Sequence, residues 1–228
     1  VTDTAIDPPA APLAPPEDKP RWRGWIHAVM FPLAIAAGVV LIVAAHGGPA
    51  KIASAVLMAS SLLLFGVSAV YHLLPVPYEA KARLRRFDHS NIFLLIAGTY
   101  TPLAISALAW PRSIILLAII WGGALLGIAF RVFWLGAPRW LYVPIYLALG
   151  WAAVLYAGDL IAFDGVVVLL VLLGGLAYSA GAVFYALKRP NIRPGVFGFH
   201  ELFHACTAIA FACQWTGILL AVQHPVTL

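Results

Sequence analysis

Charge is scarce in this sequence. Only 10% of its 228 residues are Asp, Glu, Lys or Arg, while 63% are hydrophobic and the mean hydropathy is +0.94. Soluble domains carry about 25% charged residues, so water is excluded as the solvent for most of this surface. Cysteine is nearly absent as well. Cys206 and Cys213, seven positions apart in one apolar run, offer neither a disulfide framework nor a metal pair, and read as small packing residues. Period-two alternation is missing from runs such as 166–173, which excludes the strands of a membrane barrel.

What the chain does have is seven apolar runs, each about 20 residues long, the length of helix that crosses roughly 30 Å of hydrocarbon. They fall at 26–46, 52–74, 89–109, 113–134, 141–158, 165–187 and 199–221. The predicted fold class is therefore all-α, a polytopic membrane protein built as a bundle of seven transmembrane helices. Residues 22–228 make up this membrane domain. Residues 1–21 contain six prolines (8, 9, 12, 15, 16 and 20) among acidic and small residues, and are expected to form a disordered cytoplasmic tail. That tail has no short apolar core with a small-residue cleavage site, so the first span is expected to act as the insertion signal.

Lys and Arg set the orientation, because cationic loops stay on the cytoplasmic side during insertion. Lys19, Arg21, Arg23, Lys81, Arg83, Arg85, Arg86, Arg131, Arg139, Lys188, Arg189 and Arg193 fall on one side, and only Lys51 and Arg112 on the other. This predicts a cytoplasmic N-terminus and an outside C-terminus. It also explains the pI near 9.4 without any nucleic-acid partner.

Ionisable groups inside a membrane are costly, so their placement is informative. In the deduced topology His72 lies at the cytoplasmic end of the second span, Asp88 and His89 open the third at the same depth, and His200 and His204 open the seventh. Four residues apart on a helix, His200 and His204 share a face and can point at one ion. With His72 they supply three imidazoles, the ligand set of a catalytic zinc site that keeps an open fourth position. Asp88 is then placed to accept a hydrogen bond from a metal-bound water or to act as general base, and Ser68, one turn from His72, to support a ligand or a developing oxyanion.

Each feature alone has a plainer explanation. Paired histidines on a helix often bind nothing, a membrane serine usually bonds to its own backbone, and Asp88 could favour a helix N-terminus. Histidines at the membrane interface, such as His27, His46 and His224, read as headgroup or water contacts. The coincidence of depth favours the metal site, because the topology came from Lys and Arg alone. Asp88 and His89 point about 100° apart on a helix, so one of them faces the site, and Asp88 is the choice. Gly122, Gly123 and Gly127, with Gly174, Gly175 and Gly181, read as close-packing positions, and Trp22, Trp25, Trp110, Trp140 and Trp215 as interface anchors.

Three stretches carry a family resemblance. Ser68-Ala-Val-Tyr71-His72, the run from Phe87-Asp88-His89-Ser90 through Thr99-Tyr100-Thr101-Pro102, and His200-Glu201-Leu202-Phe203-His204 resemble the signatures of the hemolysin III family, the bacterial branch of the progestin and adipoQ receptor superfamily. The resemblance covers about residues 22–221. It implies zinc held by His72, His200 and His204, with Asp88 and Ser68 contacting a zinc-bound water, in the bacterial inner membrane. Adiponectin receptors and alkaline ceramidases in the wider superfamily are associated with lipid-amide hydrolysis, so a membrane lipid is the implied substrate or ligand. The expected function is a zinc-dependent intramembrane lipid hydrolase in membrane lipid homeostasis. The alternatives are a membrane-fluidity sensor with structural zinc, closed by Asp88 or His89 as fourth ligand, and a pore-forming cytolysin, for which the helices offer no long polar stripe.

Overall fold

The computed structural model describes residues 19–226. Most of the expected tail, 1–18, lies outside them. In chain order the helices are α1 (Trp25–Ala44), α2 (Gly48–Leu73), α3 (Tyr78–Ala107), α4 (Arg112–Phe133), α5 (Arg139–Gly150), α6 (Ala157–Phe163), α7 (Gly165–Leu187) and α8 (Phe199–Gln223). A short 3₁₀ stretch, Ala152–Tyr156, joins α5 to α6, and this composite Arg139–Phe163 forms the fifth of seven membrane-length segments. The described residues include no strand, so the fold is an all-α seven-helix membrane bundle.

Lipid-facing and protein-facing surfaces differ as the membrane requires. Val43, Leu126, Phe133 and Leu155 stand exposed on the outside of the bundle, where hydrocarbon tails replace water. The third segment is 72% buried, more than any other, and is also the least apolar. These facts have one cause: α3 packs against α2, α4, α5 and α8, so its polar side chains find partners inside the protein. Asn91 donates to the Leu63 carbonyl of α2 at 2.9 Å, Thr101 accepts from Trp121 of α4 at 3.1 Å, and Tyr146 of α5 donates to the His89 carbonyl at 3.0 Å.

Tyr100 of α3 does the most demanding of these tasks. The fifth segment breaks after Gly150, and a broken helix in lipid must pair the backbone groups it frees. The Tyr100 hydroxyl donates to the Gly150 carbonyl at 2.6 Å and accepts from the Ala153 amide at 2.8 Å. It therefore occupies the gap in the ladder. Elsewhere α7 and α8 pack closely because Gly174 and Gly181 lack side chains: a Cβ on Gly174 would lie 3.1 Å from the Ala210 carbonyl, and one on Gly181 2.8 Å from Cys206 Cβ. Gly123 and Gly127 of α4 are likewise closely covered, by Leu149 and Phe93, whereas Gly122 faces open space and serves no close contact.

Two sequence boundaries shift. Helix α3 begins at Tyr78, well before the apolar run at 89, because Glu79, Lys81 and the arginines that follow are good helix formers that carry the helix out of the hydrocarbon. Asp88 and His89 thus lie in the third turn and do not open the helix, which removes the helix-dipole explanation for Asp88. The fifth segment is longer than 141–158, since polar-flanked ends and an internal break hide from a search for one apolar run. At the opposite end Asp164 caps α7, accepting from the Val166 and Val167 amides at 2.7 and 3.1 Å, and Asp159 pairs with Arg112.

Tyr100→Phe should leave both freed backbone groups unpaired and lower stability by about 2–6 kcal/mol, counting roughly 1–3 for each group left without a partner. Thermal melting of the purified protein in detergent measures this, with Tyr78→Phe on the exposed surface as the neutral comparison.

Candidate metal centre

Two helices far apart in sequence supply the histidines. On α2 the buried positions Leu57, Ser61, Leu64, Ser68 and His72 form a stripe at helical spacing that turns Ser68 and His72 inward. On α8, Glu201, His204, Thr207 and Phe211 do the same. One ring nitrogen from each of His72, His200 and His204 lies within 4.8 Å of the other two. Their ring centroids are 4.8–5.3 Å apart.

These residues fit a divalent metal. Zinc–imidazole bonds of about 2.0–2.1 Å put ligand nitrogens about 3.4 Å apart, so modest ring rotations complete the set. His72 Nε2 is buried with no hydrogen-bond partner, which leaves its lone pair free for an ion, and both ring nitrogens of His27 are likewise unpartnered. Among the described residues no fourth His, Cys, Asp or Glu joins the group.

Asp88 and Ser68 stand side by side near this cluster, and with His200 and His204 they line one cavity of about 120 Å³. From that polar end the cavity follows α3 towards the opposite face, past Ile92 and Ile96 to Thr99 and Tyr100, where Trp151 and Gly175 also line it. Twelve helical positions from Asp88 to Tyr100 correspond to about 18 Å. The lining in between is mostly apolar, and Thr99, Ser179 and Gln214 bring polar groups to the far end as well, so the space is elongated along α3.

His89 has a separate task. Arg131 of α4, only 1% exposed, places Nη2 2.6 Å from His89 Nδ1, and its guanidinium lies 4.3 Å from the centre of the Tyr142 ring. A guanidinium has donors only, so His89 Nδ1 must accept and the ring must carry its proton on Nε2. Joined to α4 in this way, His89 stands outside the three-histidine group, yet it lines the same cavity as Asp88, so both neighbours face it and not Asp88 alone.

His27 departs from the sequence reading. It is not an interfacial contact: it is 3% exposed, and its ring stacks on that of His204 with centroids 3.8 Å apart and planes within 5°. The depth criterion that grouped the other histidines applies equally to His27, which begins the first span at the same end. A histidine at the end of a span is ordinarily solvated, and nothing local in the sequence marks this one as buried. Trp215 also differs from an anchor, since its indole donates to the Ala37 carbonyl at 3.0 Å. His46 and His224 are exposed, as an interfacial reading requires.

The turn that carries His200 is anchored from three sides. Glu201, fully buried, accepts from the Gly198 amide at 2.8 Å and pairs with Arg23, and Asn191 accepts from the Phe199 amide at 3.2 Å. Arg21 and Trp22 donate backbone hydrogen bonds to Gly195 and Val196 at 3.1 and 3.3 Å, tying the segment before α1 to the loop before α8.

A seven-helix membrane bundle with a buried three-histidine cluster at one end is the class of protein that this fold and site define. The chain also matches the family described as Haemolysin-III related over residues 17–215. It is 33% identical over 190 residues to the hemolysin-3 homolog of Bacillus subtilis (strain 168), covering 82% of this chain and 88% of that protein. It is 36% identical over 191 residues to hemolysin-3 of Bacillus cereus, covering 82% and 86%. The chain belongs to the hemolysin III family.

Glu201→Ala should strip Arg23 of its buried partner and destabilise the protein by about 3–5 kcal/mol, with looser ordering of the turn that holds His200. Denaturant unfolding checks the magnitude, and protection of the 195–201 amides in hydrogen exchange checks the location.

Proposed function

We propose that this protein is a zinc-dependent intramembrane hydrolase that cleaves an amide or ester bond of a membrane lipid. The observation that carries this reading is the shared cavity. Ser68, Asp88, His200 and His204 line one end of it, and a mostly apolar passage that follows α3 for about 18 Å leads away from them. Such a shape seats a lipid with its carbonyl among the polar groups and its chain among the apolar ones.

In this reading His72, His200 and His204 hold the metal, and Asp88 and Ser68 are the catalytic residues. Zinc, when bound, supplies a Lewis acid for the carbonyl oxygen and lowers the pKa of a water to about 7. Asp88 accepts the proton of the attacking water and returns it to the departing amine or alcohol. Ser68 donates a hydrogen bond to the oxygen on which negative charge develops. One C–O bond forms, the C–N or ester C–O bond breaks, and one water is consumed. The mostly apolar lining keeps other water away from the carbonyl.

A structural-zinc sensor would call for a closed site. Neither residue proposed to close it supports that, because Asp88 is not among the three grouped donors and His89 is engaged by Arg131. The names of the relatives suggest cytolysis, but the outward faces of the spans are apolar and give a pore no polar lining.

We further propose that the basic end of the bundle, which bears the candidate site, faces the cytoplasm of a bacterial inner membrane. The twelve Lys and Arg at that end against Lys51 and Arg112 at the other support this orientation. Topology reporters that fluoresce only in the cytoplasm should be active when fused after Gly136 and silent when fused after Trp110. The opposite pattern would reverse the orientation.

For the reaction, His200→Ala and His204→Ala should sharply reduce zinc measured by elemental analysis. Asp88→Asn should retain the metal while fatty-acid release from a panel of lipid amides and esters falls by about 10²–10⁴-fold. Equal zinc loss in all three variants would make Asp88 a ligand. Zinc-loaded protein that releases no fatty acid from any lipid of the panel would remove the hydrolase.

A further inference from the structure

Helix α1 contributes no residue to the three-histidine group, yet it begins against that group. Gly24 adopts φ +88°, and a Cβ there would lie 2.7 Å from His72 Cβ, so the chain entering α1 rests directly on the His72 side chain. One turn later the His27 ring covers a face of His204, 3.8 Å away and within 5° of parallel. On its other flank Phe65 of α2 meets His27 edge-on, with centroids 5.2 Å apart, and Phe65 is itself held edge-on by Phe211 of α8 at 5.3 Å. The His27 ring is thus clamped by aromatic contacts from two sides.

Stacking on His204 excludes direct ligation by His27. An ion bound to an imidazole nitrogen lies close to the plane of that ring. An ion in the His204 plane stands off the parallel His27 plane by roughly the stacking distance, well beyond a zinc–nitrogen bond of about 2.0–2.1 Å. The stack acts on the ring itself. Residues that orient metal-bound imidazoles ordinarily do so by hydrogen bonds from the second ring nitrogen; the His204 ring meets the rings of His27, His72, His200 and Phe203, and of these only His27 lies parallel to it. Its orientation therefore comes from contact with its face. A π face next to a ring that is giving density to a cation is also electrostatically favourable.

We infer that His27 is a positioning residue of the metal centre: its ring, stacked face to face on His204, sets the plane in which that imidazole presents its lone pair. This rests on the metal-binding reading proposed above. A histidine held in one plane before the ion arrives loses less rotational freedom on binding, which raises affinity without adding a bond.

The test uses the full chain in detergent or lipid nanodiscs and compares the wild type with His27→Phe and His27→Leu. Zinc affinity is read by chelator competition, and ligand geometry by the visible absorption of the cobalt-substituted protein. His27→Leu fills the space without a flat face. It should weaken zinc binding about 10–100-fold, the range for residues that orient metal ligands, and alter the cobalt bands. His27→Phe keeps the flat ring and should keep both the affinity and the spectrum of the wild type. Wild-type behaviour of His27→Leu would overturn the inference, as would a His27→Phe variant weakened as far as His27→Leu. If His27→Leu does not fold, His27→Phe decides alone: retained affinity supports the stack, and lost affinity overturns it. A wild type that takes up neither metal would overturn the metal reading and this inference with it, an outcome distinct from failure of the variants alone.

Discussion

Hydrocarbon gives a polar group nothing to bond to, so each one in this bundle has to find its partner within the protein. Helix α3 is where that obligation concentrates. It is the most buried and least apolar of the seven segments, and its Asn91, Thr101 and Tyr100 hold α2, α4 and the broken fifth segment through hydrogen bonds of 2.6–3.1 Å. Without such a polar spine, helices of near-uniform hydrophobicity would have little to choose one arrangement over another, since lipid and leucine are equally apolar neighbours.

The candidate site grows out of the same helix. Asp88 enters the cavity from the third turn of α3, while its neighbour His89 turns towards Arg131 of α4. Two consecutive residues thus both line the cavity, and the imidazole is in addition tied to the scaffold. Across the cavity α8 presents His200 and His204 from its first two turns, whose start Glu201, Arg23 and Asn191 hold in place. Donor groups on separate helices can hold one ion only if each helix end is kept in register, and these contacts supply that register.

Chemistry on a lipid inside the membrane needs water at one point and its exclusion elsewhere. In the hydrolase reading proposed above, the mostly apolar cavity that follows α3 for about 18 Å from Asp88 to Tyr100 serves both needs. The site also lies at the end of the bundle where the Lys and Arg cluster, close to the headgroup layer from which a water could enter. Membership of the hemolysin III family agrees with the three motif stretches that carry these residues.

Composition and periodicity determined the class of solvent, the number of spans and the short list of polar residues with anything to do, because an apolar run of about 20 residues has one stable state in lipid and a charge within it has few. Spacing of four put His200 and His204 on one face, since the α-helix repeats nearly every fourth residue. Tertiary structure alone decided the rest. Neither the passage of α3 beyond its apolar stretch nor the break at Gly150 alters hydropathy, as one depends on helix propensity outside the hydrocarbon and the other on a hydroxyl from a different helix. His27 and His46 look alike in sequence, each a lone histidine near an end of the first span, yet one is stacked on His204 and the other is exposed. What separates them is which helix lies alongside, and contacts between residues more than a hundred positions apart are set by how the helices pack.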